Sequence, residues 1–322
     1  MVAWLIAILL SVVIVDLAIR AFYVRLILPQ FELKPPFNVT PHPTDPDTET
    51  VHATTEDGLT LRGGLYRSSA NPRGLILFFP ELDGTHASAQ FYAAALIEAG
   101  FCVLSFDFRG QGDSDGQDGY EAKHWPTTAE LKDVAAIFRY IDERADLRAL
   151  PLGVFGISRG SLIGLMAAAQ HPRVRAVCGE GTYTVDLLLE HFVLRWARLY
   201  IPTAVLACIP RWHIRLTLRM VRWISELRQG LRYAIAEPWL PRLRNRPVLL
   251  IAGERDNYVQ PEVVRAIADR IHSPLCRVWE VPDAKHNQAR DTVPEEFDRQ
   301  LVEFFSVLSP VPAENSWLVS SR

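Results

Sequence analysis

The chain is poor in the residues that would mark a disulfide scaffold, a metal site or a nucleic-acid partner. It has four cysteines, Cys102, Cys178, Cys208 and Cys276, all far apart, with no CxxC pair and no metal-ligand spacing. They read as small core residues in a reducing compartment, with a disulfide as the lesser alternative. An excess of one charge is missing too. Thirty-four basic and 37 acidic side chains leave a net charge of −3, which excludes bulk affinity for nucleic acid. There is no internal repeat, so solenoids are excluded. The first residues lack a basic n-region and a small-x-small cleavage site, which argues against a removed signal peptide. What remains is an ordinary globular composition, 49% apolar and 22% charged, in a chain of 322 residues. That length fits one large domain or two small ones.

One long apolar run is present. Val2 to Val15 is apolar apart from Ser11, and Leu17 to Ile19, Phe22 and Tyr23 extend it past Asp16. As a helix, Val2 to Tyr23 spans roughly 30 Å, the hydrocarbon thickness of a bilayer. Trp4 and Phe22/Tyr23 suit its two interfaces. Asp16 is costly in lipid, and Arg20, one turn on, offers an i,i+4 partner. Residues 1–28 therefore read as an uncleaved anchor, against a buried or interfacial helix. Arg20, Arg25 and Lys34 follow the span, which puts the rest of the chain in the cytoplasm. Residues 29–50, with Pro29, Pro35, Pro36, Pro41, Pro43 and Pro46, read as a semi-rigid spacer. Asn38-Val39-Thr40 matches a glycosylation acceptor but has no meaning in a cytoplasmic chain. Residues 309–322 read as a disordered tail.

Beyond the spacer, strand and helix patterns alternate. Thr48–Thr55 and Leu59–Tyr66 read as strands joined through Asp57-Gly58. Apolar runs at Leu75–Phe79 and Leu152–Ile157 read as buried strands, and Phe101–Phe106, Val174–Cys178, Pro247–Ala252 and Leu275–Val281 as further strands. Helical patterns cover Ala87–Ala99, a stretch opened by the capping box Thr127-Thr128-Ala129-Glu130, Pro261–Ile271 and Pro294–Val307. Strands apolar on both faces imply a mostly parallel sheet covered on both sides.

Gly156-Ile157-Ser158-Arg159-Gly160 lies between one such strand and a helical pattern. A sharp turn there exposes the serine hydroxyl, and only glycine lets the neighbouring backbone approach closely. A serine hydroxyl is a poor nucleophile without a base, and the base needs an orienting carboxylate. Asp256 follows one strand and His286 the next, both at carboxyl ends, where sites on such sheets form. Singly, each reads as a loop residue; together, in the order Ser, Asp, His, they read as a triad.

Residues 50–308 resemble the α/β-hydrolase superfamily, most closely its branch of serine aminopeptidases, monoglyceride lipases and membrane-anchored hydrolases. The resemblance rests on Asp57-Gly58-x-x-Leu61, the Asp107-x-Arg109-Gly110-x-Gly112-x-Ser114 turn, the elbow, the Gly253-to-Pro261 loop and the His286 loop. It implies Ser158 as nucleophile, His286 as base then acid, and Asp256 as orienter. It also implies an oxyanion hole from the backbone N–H groups of Leu82 and Arg159. The family usually has His-Gly after the third strand; this chain has Pro80-Glu81. A carboxylate facing the site would oppose an oxyanion, so Glu81 either pairs with Arg159 or both face solvent separately. Glu180 is the alternative acid, placed where some relatives carry theirs.

The core then comprises residues 51–182 and 245–308, with an insertion, 183–244, read as a helical cap. Helical patterns cover Val185–Tyr200, Pro202–Cys208, Arg211–Leu227 and a piece near Leu231–Ile235. From Arg195 to Arg246, just past the insertion's end, the chain has eleven arginines against Glu226 and Glu237, with four tryptophans interleaved. Arg215, Arg219 and Arg222 share a helix face, which is either a solvated basic face or a contact with an anionic membrane surface. The expectation is a membrane-anchored serine hydrolase acting on an ester or thioester with an apolar acyl part, a small molecule or lipid. A peptidase and a non-catalytic binding relative are the alternatives. No metal, nucleotide or other cofactor is implied.

Overall fold

The computed structural model describes residues 2–35, 39–46, 48–67 and 69–308. The glycosylation match at Asn38 and the tail reading lie wholly or partly outside them. The strands are β1 (Glu49–Thr54), β2 (Thr60–Tyr66), β3 (Leu75–Phe79), β4 (Cys102–Phe106), β5 (Leu152–Ile157), β6 (Val174–Glu180), β7 (Val248–Gly253) and β8 (Cys276–Val281). The helices are α1 (Val2–Glu32), α2 (Ser88–Tyr92), α3 (Ala94–Glu98), α4 (Thr128–Glu143), α5 (Ala145–Arg148), α6 (Arg159–Gln170), α7 (Val185–Tyr200), α8 (Thr203–Cys208), α9 (Arg211–Gln229), α10 (Pro261–Ile271), α11 (Ala289–Thr292) and α12 (Pro294–Phe305). The chain divides into two compact units, Met1–Pro36 with Val185–Tyr233, and Phe37–Thr184 with Ala234–Arg322.

The larger unit contains one eight-stranded sheet in the order β1-β2-β4-β3-β5-β6-β7-β8. Only β2 runs against its neighbours, pairing antiparallel with β1 and β4; β3 to β8 are parallel. Every residue of β3, β4, β5 and β7 is buried, as central strands covered on both faces require. Thr127 caps α4 and Glu130 closes the reciprocal bond, so the expected capping box forms. Ala87–Ala99 is not one helix: it breaks at Ala93 into α2 and α3.

The motif turns are joined by one buried cation. Arg109 is fully buried and donates to Asp133 Oδ1 (2.6 and 2.9 Å), Asp57 Oδ2 (2.9 Å) and Gln117 Oε1 (2.7 Å). It ties the β1–β2 turn, the turn after β4 and α4 together. Its bonds hold the Asp57 carboxyl well below the usual range. Asp107 accepts the N–H groups of His86 (2.5 Å) and Asp113 (2.9 Å), and a Cβ at Gly112, where φ is +51°, would collide with it.

The smaller unit departs from expectation. α1 does not stop at residue 28 but runs through Pro29 to Glu32. Tertiary packing overrides the proline: Val24, Leu28 and Phe31 are buried, and α1 packs along α9. Phe31 meets the Tyr233 ring edge-on at 5.1 Å. The Asp16–Arg20 pair forms at 2.7 Å, and Arg20, fully buried, also donates to His213 O (2.9 Å) and Thr217 Oγ1 (3.0 Å). The arginines of α9 are less free than their count suggests. Arg211 and Arg215 pair with Glu190 and Arg222 with Asp186, two acids of α7. Leu231–Ile235 is not helical; Ala234, in the larger unit, donates its N–H to Pro126 O.

Candidate active site

Three loops at the carboxyl ends of β5, β7 and β8 meet. Ser158 sits between β5 and α6 with φ +52° and ψ −115°, a strained conformation for a residue with a Cβ. Its N–H donates to Glu180 O at 2.8 Å. A Cβ at Gly160 would strike the Phe79 carbonyl oxygen, and one at Gly156 would strike the Gly160 carbonyl. Both glycines are therefore steric requirements of the turn.

Ser158 Oγ lies 2.8 Å from His286 Nε2, and His286 Nδ1 lies 2.6 Å from Asp256 Oδ2. Asp256 is 2% exposed, and its other oxygen accepts the N–H groups of Tyr258 (2.7 Å) and Val259 (2.8 Å). An ionised carboxylate only accepts, so Nδ1 carries the proton and Nε2 faces the hydroxyl with its lone pair. The arrangement can move a proton from the serine hydroxyl to the imidazole. The Tyr258 ring packs edge-on to His286 at 5.2 Å.

The candidate oxyanion donors stand at the turn after β3 and at the first residue of α6. Leu82 is buried, and the next residue, Asp83 (φ +62°), donates its N–H to Gln111 Oε1 at 2.9 Å. Gln111 was not singled out from the sequence, although it stands inside the Asp107–Ser114 turn. The positive end of α6 favours developing negative charge at Ser158.

Neither expected arrangement of Glu81 and Arg159 occurs. The Arg159 side chain is buried and pairs with Glu130, and its Nε donates to Lys123 O at 2.7 Å. Glu130 is the capping-box acid of α4; it also accepts the Tyr120 hydroxyl and the Thr127 N–H (2.8 Å) and hydroxyl (2.6 Å). A fully buried cation needs a partner, and Glu130 supplies it. Glu81 is buried as well and accepts the Ser88 hydroxyl at 3.3 Å. Burial pushes its carboxyl up to about 7. The acid bonded to His286 Nδ1 is Asp256 rather than Glu180. Glu180 is buried at the end of β6, accepts the Ala289 N–H at 2.9 Å, and is pushed up to about 8, again by burial.

A family model described as serine aminopeptidase, S33, matches residues 70–203. The alpha/beta hydrolase domain-containing protein WAV2 of Arabidopsis thaliana is 23% identical over 257 residues, covering 78% of this chain and 76% of that protein. The esterase Pf2001 of Pyrococcus furiosus aligns with a TM-score of 0.60 and 22% identity, over 86% of this chain and 98% of its own. The enol-lactonase of Burkholderia xenovorans LB400 aligns with a TM-score of 0.55 and 21% identity, over 80% and 100%. Sheet order and structural likeness together define the fold: the chain has the α/β-hydrolase fold, with a long apolar N-terminal helix.

Proposed function

We propose that this protein is a membrane-anchored serine hydrolase that cleaves a carboxylic ester or thioester through Ser158, His286 and Asp256. The observation that supports the reading is the unbroken relay from Ser158 Oγ to His286 to Asp256, at 2.8 and 2.6 Å. Ser158 Oγ attacks the acyl carbon and its proton passes to His286 Nε2. The oxyanion takes the N–H groups of Leu82 and Arg159, each contact of that kind being worth about 3–4 kcal/mol. The imidazolium then protonates the leaving group, and water repeats the cycle on the acyl-enzyme. α1, with its high hydropathy and bare apolar surface, is the anchor. Arg25 and Lys34 favour a cytoplasmic hydrolase domain. The helical insertion serves as the cap, and its Leu- and Trp-rich composition favours an apolar acyl group.

A fluorophosphonate probe should label the wild-type protein and leave Ser158→Ala unlabelled. Wild-type protein that is folded yet unlabelled would sink the enzyme reading in favour of a binding relative. Hydrolysis of p-nitrophenyl esters across acyl lengths then defines the substrate. The family model's description favours a second reading, a peptidase acting on N-terminal residues. Faster turnover of aminoacyl amides than of any ester would select it.

A further inference from the structure

The smaller unit sets two apolar surfaces side by side. Arg20 of α1 meets His213 and Thr217 near the start of α9, while Glu32 lies 3.7 Å from Arg228 near its end. The two helices are therefore parallel, and Val2–Val15 extends beyond the first turn of α9. That overhang is 14 residues, about 21 Å of helix, with no charge and no buried side chain. Acting as an anchor, it draws the elements packed beside α1 toward the membrane interface.

The neighbours are suited to it. Glu190 of α7 pairs with Arg211 and Arg215, and Asp186 with Arg222, so α7 runs antiparallel to α9. The ten residues of α7 after Glu190 project up to about 15 Å past the start of α9, in the same direction as the free half of α1. From Leu199 to Pro210 the chain carries no charge, and α8 within it has no buried residue. Leu199 and Tyr200 are 74% and 80% exposed, and Val205 and Trp212 are exposed beside them. Arg195, Arg198 and Arg211 flank this tip, and long basic side chains at such positions reach back to headgroups. A soluble surface rarely shows an uncharged apolar turn of this size.

We infer that residues 199–210 form a second membrane-inserted element, entering the acyl region of an anionic phospholipid bilayer beside the overhanging half of α1. The inference rests on the proposed anchoring role of α1. It moves the contact from the arginine-bearing side of α9 to the turn between α7 and α9. The Asp16–Arg20 pair and the flanking arginines then mark the headgroup level, where Trp212 belongs to the interfacial aromatic belt.

Cys208 is an exposed thiol within the tip, whereas Cys102 and Cys178 are buried. The test labels full-length Cys276→Ser protein at Cys208 with a polarity-sensitive fluorophore and adds vesicles of phosphatidylglycerol and phosphatidylcholine. The expected result is a blue shift on binding, quenching by lipid bearing a nitroxide on its acyl chain, and protection from aqueous iodide. Val205→Asp, on a side chain exposed in the fold, should lose the nitroxide quenching while the protein still sediments with vesicles. A label that stays open to iodide on vesicle-bound protein overturns the inference and leaves the anchor intact. A blue shift without nitroxide quenching also overturns it, in favour of a protein partner such as a second copy of this chain. Failure of the unlabelled wild type to sediment with vesicles overturns the anchor reading itself.

Discussion

Replacing Arg159 by methionine separates the scaffold of the site from its chemistry. The wild-type guanidinium is fully buried against Glu130, and Phe108 lies beneath it at 5.9 Å. Methionine fills most of that volume but strands the carboxylate. Breaking a buried pair from one side costs about 3–5 kcal/mol. Here Glu130 keeps the Thr127 N–H, the Thr127 hydroxyl and the Tyr120 hydroxyl as donors, which puts the loss near about 3 kcal/mol. That is a large share of a typical stability of about 5–15 kcal/mol. Adding Glu130→Gln removes the stranded charge while retaining an acceptor for Thr127, so at least about half of the loss should return, because replacing both partners of such a pair is often near neutral. The backbone N–H of residue 159 is untouched, so kcat measured below the melting transition should fall by less than about tenfold, well short of the 10²–10³-fold expected for a lost oxyanion donor. Denaturant unfolding in detergent and initial rates on a short-chain ester read the two quantities separately. Two results refute the reasoning. One is a double variant no more stable than Arg159→Met. The other is a folded single variant that loses about 10²-fold or more in kcat, as a removed oxyanion donor would.

Asp256→Asn keeps an acceptor for Tyr258 and Val259 but no longer fixes the His286 tautomer. The protein should fold normally and lose about 10³–10⁴-fold in kcat; a loss under about tenfold would transfer the acid role to Glu180. Glu180→Gln tests burial as the source of that carboxyl's shift from 4.5 to about 8. The folded state holds this proton above the pH at which the unfolded chain has released it. Stability from the group is therefore complete below about 4.5 and is lost as pH rises to about 8, by about 1.4 kcal/mol per pH unit. Between pH 5 and 8 the variant should gain up to about 4 kcal/mol on wild type in denaturant unfolding; parallel curves would refute the cause. Gly160→Ala drives a Cβ into the Phe79 and Pro80 carbonyl oxygens, both backbone atoms. It should cost at least about 1–3 kcal/mol and most of the activity, and an unchanged melting temperature with full turnover would show that the elbow can open.

The sheet and the relay were legible because both follow from local pattern plus one topological rule. Short strand-like runs bounded by turns and alternating with helices build a parallel sheet, and loops at the carboxyl ends of its strands are where Ser158, Asp256 and His286 meet. What could not be read was the long-range partner of a buried charge. Glu130 was visible as a capping residue, but its second role, pairing with Arg159 from α6, depends on how two helices pack. The same holds for α1. Asp16, Arg20, Val24, Leu28 and Phe31 recur at helical spacing, but the surface that covers them is supplied by α9, nearly two hundred residues away, and that packing carries the helix through Pro29.

The acids around Ser158 explain how Glu81 can stand where relatives place His-Gly. Asp256 is the acid that touches His286. Glu130 is spent on Arg159, while burial makes Glu81 and Glu180 retain protons up to about 7 and 8. The charges of Asp256 and Asp291 further oppose ionisation of Glu180. Below about pH 7 Glu81 and Glu180 are therefore largely neutral. Neither carboxyl then sets a negative charge against the proposed imidazolium or the proposed oxyanion at Leu82. A carboxyl group at position 81, in the place of the glycine of His-Gly, is then compatible with the proposed acyl transfer because burial keeps it protonated. The same burial, by the linkage argued for Glu180, makes the fold less stable as the solution becomes alkaline.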